Sequence, residues 1–448
     1  MKNPKISSSG LILFLVFLSC NKPQGQDQTF DKSRMEAFLE HVYSNNQGMG
    51  SLSIFQDGKE VYQETLGYAD VEKKIAADAE TKYRIGSISK TFTSTIIMQL
   101  VSEGKLTLET PLGNFYPEVG NSENITMEHM LRHRSGIYNF TNAADLKSWE
   151  QDPMSREDLV KKIVGNGNVF APGAKAEYSN SNYVLLSFIA ERIEGREYAD
   201  ILQERICTPC GLAHTYYGMK ISADRNEAKS YTKQGKQWNI STETDMSIPT
   251  GAGAIVSTPT DINKFFNCLF DGDLTSTVSL ASMMELQDGY GLGMFPAPFH
   301  EKRAYGHNGG IDGFRSTAFY FPKENVSVAY TANAATMAIN NILIGVLSIY
   351  FGTEYKFPEF TEAIEVSSAE LDRYPGVYST PSFPLKITIT KKEGVLMAQA
   401  TGQSSFPLEA YEKDKFRFEA AQIKMAFLPE ENKMVFNQGG KEFEMVRE

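Results

Sequence analysis

Apolar and polar residues alternate around Leu52 and Ile54 and again around Val61 and Tyr62, with Asp57-Gly58 between them. Two short alternating runs about a favoured turn pair predict a β-hairpin over residues 51–68. From Thr91 the period changes. Phe92, Ile96, Ile97, Leu100 and Val101 recur at helical spacing, and Gly104 ends the run where a left-handed cap is wanted, which predicts a helix beginning just before Lys90. The middle of the chain reads as helix and loop, with helices at Thr126 to His133, Tyr183 to Ile193 and Asp261 to Phe270. Ahead of the last, Thr258 can cap, Pro259 suits the first helical position, and Asp261 can close a capping box. Alternation returns at Thr317, Phe319 and Phe321; Lys323-Glu324-Asn325 turns the chain into Val326, Val328 and Tyr330, and a helix follows from Ala338 to Tyr350.

Strands at both ends with helices between predict an α+β domain over 31–355, its antiparallel sheet completed by both ends of the domain. A linker over 356–368, plainest from Pro358 to Ser368, leads to a segment with strands only. Leu385/Ile387/Ile389, Val395/Met397, Phe416/Phe418, Met425/Phe427, Val435 and Phe443/Met445, the last across Gly439-Gly440, predict a small all-β, barrel-like domain over 369–448. The chain shows no internal repeat.

At 448 residues and 41% hydrophobic side chains, the chain suits one large core and a small companion. Its first residues have the pattern of an export signal over 1–19: Lys2 and Lys5, then an apolar run from Leu11 to Leu18 too short to span a bilayer. Phe17-Leu18-Ser19-Cys20 resembles the cleavage box of bacterial lipoproteins, with Phe where Leu is usual, so Cys20 is the expected lipidation site. A polar tether over 20–30 follows. The expected location is the cell envelope, periplasmic or facing outward, with membrane contact only through the lipid on Cys20. Loss of 1–19 removes two lysines and no acids, taking the net charge from −11 to −13. With no basic patch to meet phosphates, nucleic acid is not an expected partner.

Cys207-Thr208-Pro209-Cys210 is a C-x-x-C that could close as a disulfide in an oxidising compartment. It runs into Gly211-Leu212 rather than a helix, which argues against a thioredoxin-like role. Cys268, in the apolar stretch Phe265 to Phe270, reads as a small buried hydrophobe.

Three short segments carry candidate chemistry. Gly86-Ser87-Ile88-Ser89-Lys90 stands at the start of the Thr91 helix, where a spacing of three puts Ser87 and Lys90 one turn apart on one face. The helix N-terminus favours developing negative charge and a depressed lysine pKa, and a neutral Lys90 could take the serine proton. Glu177-Tyr178-Ser179-Asn180 offers a phenol and an amide two residues apart. Tyr305-Gly306-His307-Asn308-Gly309-Gly310 lets a substrate backbone approach closely, with the Gly310 N–H available to an oxyanion. Each motif alone is weak: Ser230 to Lys233 is a second S-x-x-K and Tyr43 to Asn45 a second Y-x-N.

In the order Ser-x-x-Lys, Tyr-x-Asn, His-x-Gly, the chain resembles the serine β-lactamase and penicillin-binding protein superfamily, in the branch with class C β-lactamases, D,D-carboxypeptidases, D-aminopeptidases and esterases. Gly67-Tyr68-Ala69-Asp70, Tyr83-Arg84-Ile85, Leu131 to Gly136, Gly253 to Thr258 and Tyr290 to Gly293 extend the resemblance over about 31–350. It implies a β-lactamase/transpeptidase-like fold. Ser87 is then the expected nucleophile, Lys90 its activator and Tyr178 the proton relay. Asn180, His307, Gly309 and Gly310 would bind substrate and, with the Ser87 N–H, complete an oxyanion hole. The expected partner is a small-molecule or peptide substrate, with no cofactor. His129 and His133 stand four apart but without the glutamate of a zinc helix, and no metal is expected.

One departure matters. β-Lactamases usually carry Lys where this chain has His307, and an imidazole is largely neutral at pH 7. The expected activity is therefore on an ester or peptide bond, with weak action on β-lactams. A nucleophile-elbow esterase is disfavoured, since no G-x-S-x-G occurs. The competing reading is a non-catalytic receptor for cell-wall peptides.

Overall fold

The computed structural model describes residues 30–448 except 235–236, 361–362, 402–404, 419–420, 422 and 439–440. The expected signal peptide, Cys20, nearly all of the tether, and Gly439-Gly440 lie outside the described residues. Among those described, no helix is long and apolar enough to cross a membrane.

Helix α1 (Lys32–Ser44) opens the fold on an Asp31 cap and buries Met35, Phe38, Leu39 and Val42. Strands β1 (Gly48–Gln56) and β2 (Lys59–Leu66) form the expected hairpin. Asp57 and Gly58 both have positive φ, the conformation that matches a two-residue turn to strand twist. Strand β3 (Tyr83–Arg84) then leads into a single 3-10 turn, Gly86–Ile88, and helix α2 (Ser89–Ser102).

The polar side of α2 is as buried as its apolar side. Thr91 donates to the Gly293 carbonyl at 2.8 Å, Thr93 to Gly251 at 2.6 Å and Ser94 to Leu292 at 2.8 Å. These bonds satisfy the hydroxyls and fasten loops from distant parts of the chain around the helix. Helix α3 (Asn180–Glu194) packs on α2. A small sheet joins β4 (Tyr216–Tyr217) through β5 (Ile255–Ser257) to β3. Helix α4 (Pro259–Phe270) follows, its Phe265 ring stacked on Phe92 at 3.7 Å between centroids.

Thr258 caps α4 through the Asp261 N–H and Pro259 takes the first position, as expected. The expected reciprocal bond from Asp261 is not made. Its carboxylate instead accepts the His214 N–H at 2.7 Å and the Thr215 hydroxyl at 3.1 Å, tying α4 to the loop before β4. The cysteine expectations also need correcting. Cys268 is not a free hydrophobe but is joined to Cys210 by a disulfide, while Cys207 is a buried free thiol. Position on α4, not closeness in sequence, selects the partner.

Strands β6 (Phe295–Phe299), β7 (Lys302–Ile311), β8 (Phe314–Phe321) and β9 (Val326–Ala335) complete the main sheet, in the order β6-β7-β8-β9-β1-β2, antiparallel throughout. β1 lies beside β9, so the two ends of the domain do close one sheet. Helix α5 (Ile339–Tyr350) and α1 cover one face, where Phe38, Leu52, Val328 and Val346 share a core; α2 and the helical region build the larger core on the other. Chain beyond α5 folds back on α1: the rings of Tyr355 and Phe357 sit 5.5 and 5.4 Å from that of Phe38, and His41 Nε2 bonds the Pro358 carbonyl at 2.8 Å. A closed barrel of eight antiparallel strands between Gly376 and Arg447 ends the chain. Its interior is filled by its own side chains, among them Ile389, Leu396, Phe416, Met425 and Phe436.

Candidate active site

Ser87 owes its position to the glycines on both sides of a narrow gap. Gly86 has φ +52, and a Cβ there would lie 2.7 Å from the Gly310 nitrogen. A Cβ on Gly309 would lie 2.0 Å from the Ile85 carbonyl oxygen, and the Ser316 hydroxyl donates to that same oxygen at 2.8 Å. Only glycine permits β7 to pass so close to the turn carrying Ser87.

Lys90 follows one turn later and is fully buried. Its Nζ lies 3.0 Å from Ser87 Oγ, 2.7 Å from Asn180 Oδ1 and 2.8 Å from the Ala252 carbonyl oxygen. Among the described residues it has no carboxylate partner, and burial alone lowers its pKa well below the ordinary lysine value. A neutral amine has two N–H donors and one lone pair. Asn180 and Ala252 can take the donors, which leaves the lone pair facing Ser87.

Asn180 opens α3, and its amide is oriented by residues the motif reading did not name. Its backbone N–H donates to Asn139 Oδ1 at 3.0 Å and its Nδ2 to the Thr141 hydroxyl at 3.0 Å. Tyr178, two residues earlier, lays its ring 4.9 Å from Lys90 Nζ and 4.3 Å from the His133 ring. Burial raises the phenol pKa, opposed by a hydrogen bond with Ser87. His133 is itself buried at a positive φ, and its Nδ1 accepts the Ser179 N–H at 3.2 Å. It buttresses the tyrosine. His129 belongs to a capping box with Thr126.

His307 is buried on β7, its ring 4.7 Å from Phe295 and 6.1 Å from Tyr178, with Nδ1 on the Asn308 carbonyl. Burial, assisted by nearby Lys90, pushes its pKa down to about 3. The imidazole is neutral at physiological pH.

The structure thus brings Ser87, Lys90, Tyr178, Asn180, His307, Gly309 and Gly310 together around one cleft. The second motif copies lie elsewhere: the Ser230 hydroxyl accepts the Gly313 N–H and Lys233 donates to the Asn46 carbonyl, while Asn45 caps the end of α1. A cavity of about 200 Å³ opens beside Ser87, with Asn180, Gly310, Phe140, Ile248, Glu150 and Asp312 in its wall. Sequence reasoning missed Glu150 and Asp312. Arg84 is buried and paired with Asp312, but that burial is not visible in the sequence, so no local signal pointed to Asp312.

A family model described as Beta-lactamase matches residues 40–341. Penicillin-binding protein 4* of Bacillus subtilis (strain 168) is 24% identical over 93% of this chain and 98% of its own length. The D-amino acid amidase of Ochrobactrum anthropi SV3, solved with D-phenylalanine, is 25% identical and superposes with a TM-score of 0.65 over 71% of this chain and 98% of its own. The octameric penicillin-binding protein homologue of Pyrococcus abyssi shares the fold over 93% of this chain and 100% of its own, with a TM-score of 0.66 and 24% identity.

Proposed function

Because the chain belongs to the Beta-lactamase family, we propose that it is a serine acyl hydrolase acting through an acyl-enzyme on Ser87. The observation that carries the reading is Lys90: fully buried, 3.0 Å from Ser87 Oγ and, among the described residues, without a carboxylate to hold its proton. Neutral Lys90 removes the Ser87 proton as Oγ attacks a substrate carbonyl. The oxyanion forms against the N–H groups of Ser87 and Gly310. Tyr178 relays the Ser87 proton from Lys90 to the leaving group; water then attacks the acyl-enzyme, losing its proton to the same Tyr178–Lys90 pair, which returns one to Ser87 Oγ as the acid departs. Asn180 holds Lys90 and the substrate amide; His307 closes the wall opposite Tyr178.

The substrate is an ester or a peptide-type amide, with amides of D-amino acids the first to try, given the likeness to the Ochrobactrum amidase. The neutral His307 supports poor use of β-lactams, since it offers no cation to a substrate carboxylate. The Cys210–Cys268 disulfide suits an oxidising compartment and supports the export read from the sequence.

Intact-mass measurement of the soluble protein with a fluorophosphonate, alongside p-nitrophenyl ester turnover, tests the reading. One adduct per chain and ester hydrolysis, both lost in Ser87→Ala, are expected. No adduct and no turnover would leave a binding protein.

A further inference from the structure

Thr250 is buried and, among the described residues, is the only β-branched one at a positive φ, +37. Its branched side chain opposes that conformation, so the surroundings must hold it there. It opens the tight turn Thr250–Ala252, whose last carbonyl meets Lys90 Nζ at 2.8 Å. The Ser187 hydroxyl of α3 is the hub of the restraint. It donates its one hydrogen to the Val184 carbonyl at 2.8 Å, so it accepts from the Thr250 hydroxyl at 3.1 Å, and it also accepts the Gly251 N–H at 3.3 Å. Thr93 of α2 donates to the Gly251 carbonyl at 2.6 Å and lies 2.6 Å from the Tyr198 phenol oxygen. A Cβ on Gly251 would lie 2.6 Å from Ser187 Cβ and 2.8 Å from Thr93 Oγ1, so the turn is wedged between the helix of Lys90 and the helix of Asn180. Behind it a cavity of about 230 Å³, lined by Ser187, Tyr198 and Thr250, leaves room for the turn to relax were these bonds lost.

We infer that Thr250 is a positioning residue for Lys90: its hydroxyl, bonded to Ser187, keeps the turn in the left-handed conformation that aims the Ala252 carbonyl at the amine and so turns the amine's lone pair to Ser87. The strain persists because relaxing it would move that carbonyl. Thr250 lines the cavity behind the turn and not the one beside Ser87, so it acts on the chemistry rather than on substrate binding. The inference rests on the reading of Lys90 as the base that activates Ser87.

The test follows, in the full chain, the pH dependence of Ser87 acylation by a fluorophosphonate and the kcat and KM of p-nitrophenyl butyrate hydrolysis, with thermal melts establishing that each variant is folded. Thr250→Val keeps the branched shape but loses the hydroxyl; Thr250→Ala serves in its place if the valine variant does not fold. Either is expected to lower the acylation plateau by about 10- to 100-fold, carried in turnover by kcat, and to move the midpoint of the profile to lower pH, because the ammonium form of Lys90 loses an acceptor. Tyr178, Tyr183, His133 and His307 also face the amine, and none of them is altered by these variants. Thr250→Ser should recover most of the rate. Thr250→Gly should do so too although it lacks the hydroxyl, since glycine adopts a positive φ without strain and it is the conformation that aims the carbonyl. A wild-type plateau in the folded valine or alanine variant overturns the inference, as does a slowed plateau with an unmoved midpoint, or serine and glycine variants as slow as the valine one. If labelling depends on Ser87 but is indifferent to Thr250, only the Thr250 inference fails. If Ser87→Ala still takes the label, the nucleophile reading fails and this inference with it.

Discussion

Arg84 and Asp312 form a buried ion pair, Nη1 to Oδ2 at 2.9 Å, that ties the strand entering the Ser87 turn to the end of the strand carrying Gly310. The guanidinium also reaches Glu243 at 2.6 Å and the carbonyls of Thr244 and Met219 at 2.8 and 3.1 Å. The clamp therefore sets the spacing of the two N–H groups proposed to receive the oxyanion.

Asp312→Asn keeps the shape of the clamp but removes its charge. Ser87 acylation by a fluorophosphonate is expected to slow by up to about 100-fold, the cost of a roughly 1 Å misplacement. Arg84→Leu strands Asp312 without its cation and should lower unfolding free energy by about 3–5 kcal/mol in a denaturant titration. Unchanged acylation in a folded Asp312→Asn would remove the positioning role.

Lys90 governs how acylation responds to pH. Its neutral form is the active base, so the rate falls as pH drops through its pKa, which burial has brought well below the ordinary lysine value. Labelling should reach its plateau far below pH 10.5. Lys90→Arg, charged at every accessible pH, should lose about 10²–10⁴ of the rate. A profile still climbing at pH 10 would contradict the neutral lysine.

Two consequences follow from the uncharged imidazole of His307. Its pKa is about 3 folded against an ordinary 6.5, so between those values the unfolded chain binds a proton that the folded chain does not. Stability is thus lost as pH falls from 6.5 towards 3, by up to about 1.4 kcal/mol per pH unit, and His307→Gln should have a shallower slope. Benzylpenicillin should be turned over at less than about 10⁴ M⁻¹s⁻¹, the low end of enzymatic values.

Much of the site was legible because its chemistry is local. Ser87 and Lys90 lie within one turn, Tyr178 and Asn180 within one entry to a helix, and the glycines between Tyr305 and Gly310 declare a close backbone approach. What was not legible is relational. Nothing near Cys268 tells that Cys210 will face it, and nothing near Asp261 tells that a loop N–H will claim its carboxylate. Likewise nothing near Thr91, Thr93 and Ser94 tells which loop carbonyls will receive their hydroxyls. Helix α1 is a different case: Met35, Phe38, Leu39 and Val42 have a plain helical period that was available to be read.

The disulfide between Cys210 and Cys268 closes a loop of 58 residues. Cys210→Ser with Cys268→Ser should lower stability by about 2–4 kcal/mol, seen as a reduced melting temperature. In the native protein Cys207, with its thiol pKa raised to about 12 by burial, should resist alkylation until the chain is denatured.

Truncation separates the barrel from the segment before it. The barrel keeps its own core, so a chain ending at 365 should stay folded and label at Ser87. Ending at 352 removes Tyr355 and Phe357 from the Phe38 ring, and should cost about 3 kcal/mol or more relative to the longer form. Equal melting temperatures for the two would show that this segment does not brace α1.

Because β1 is paired with β9, its residues wait for residues made some 280 positions later. A chain emerging from the ribosome cannot close its sheet, and so cannot complete the gap between Gly86 and Gly310, until almost the whole domain is available. Until then it carries an unpaired strand open to misassociation. Assembly of the reactive centre is thereby timed to the completion of this domain rather than its beginning.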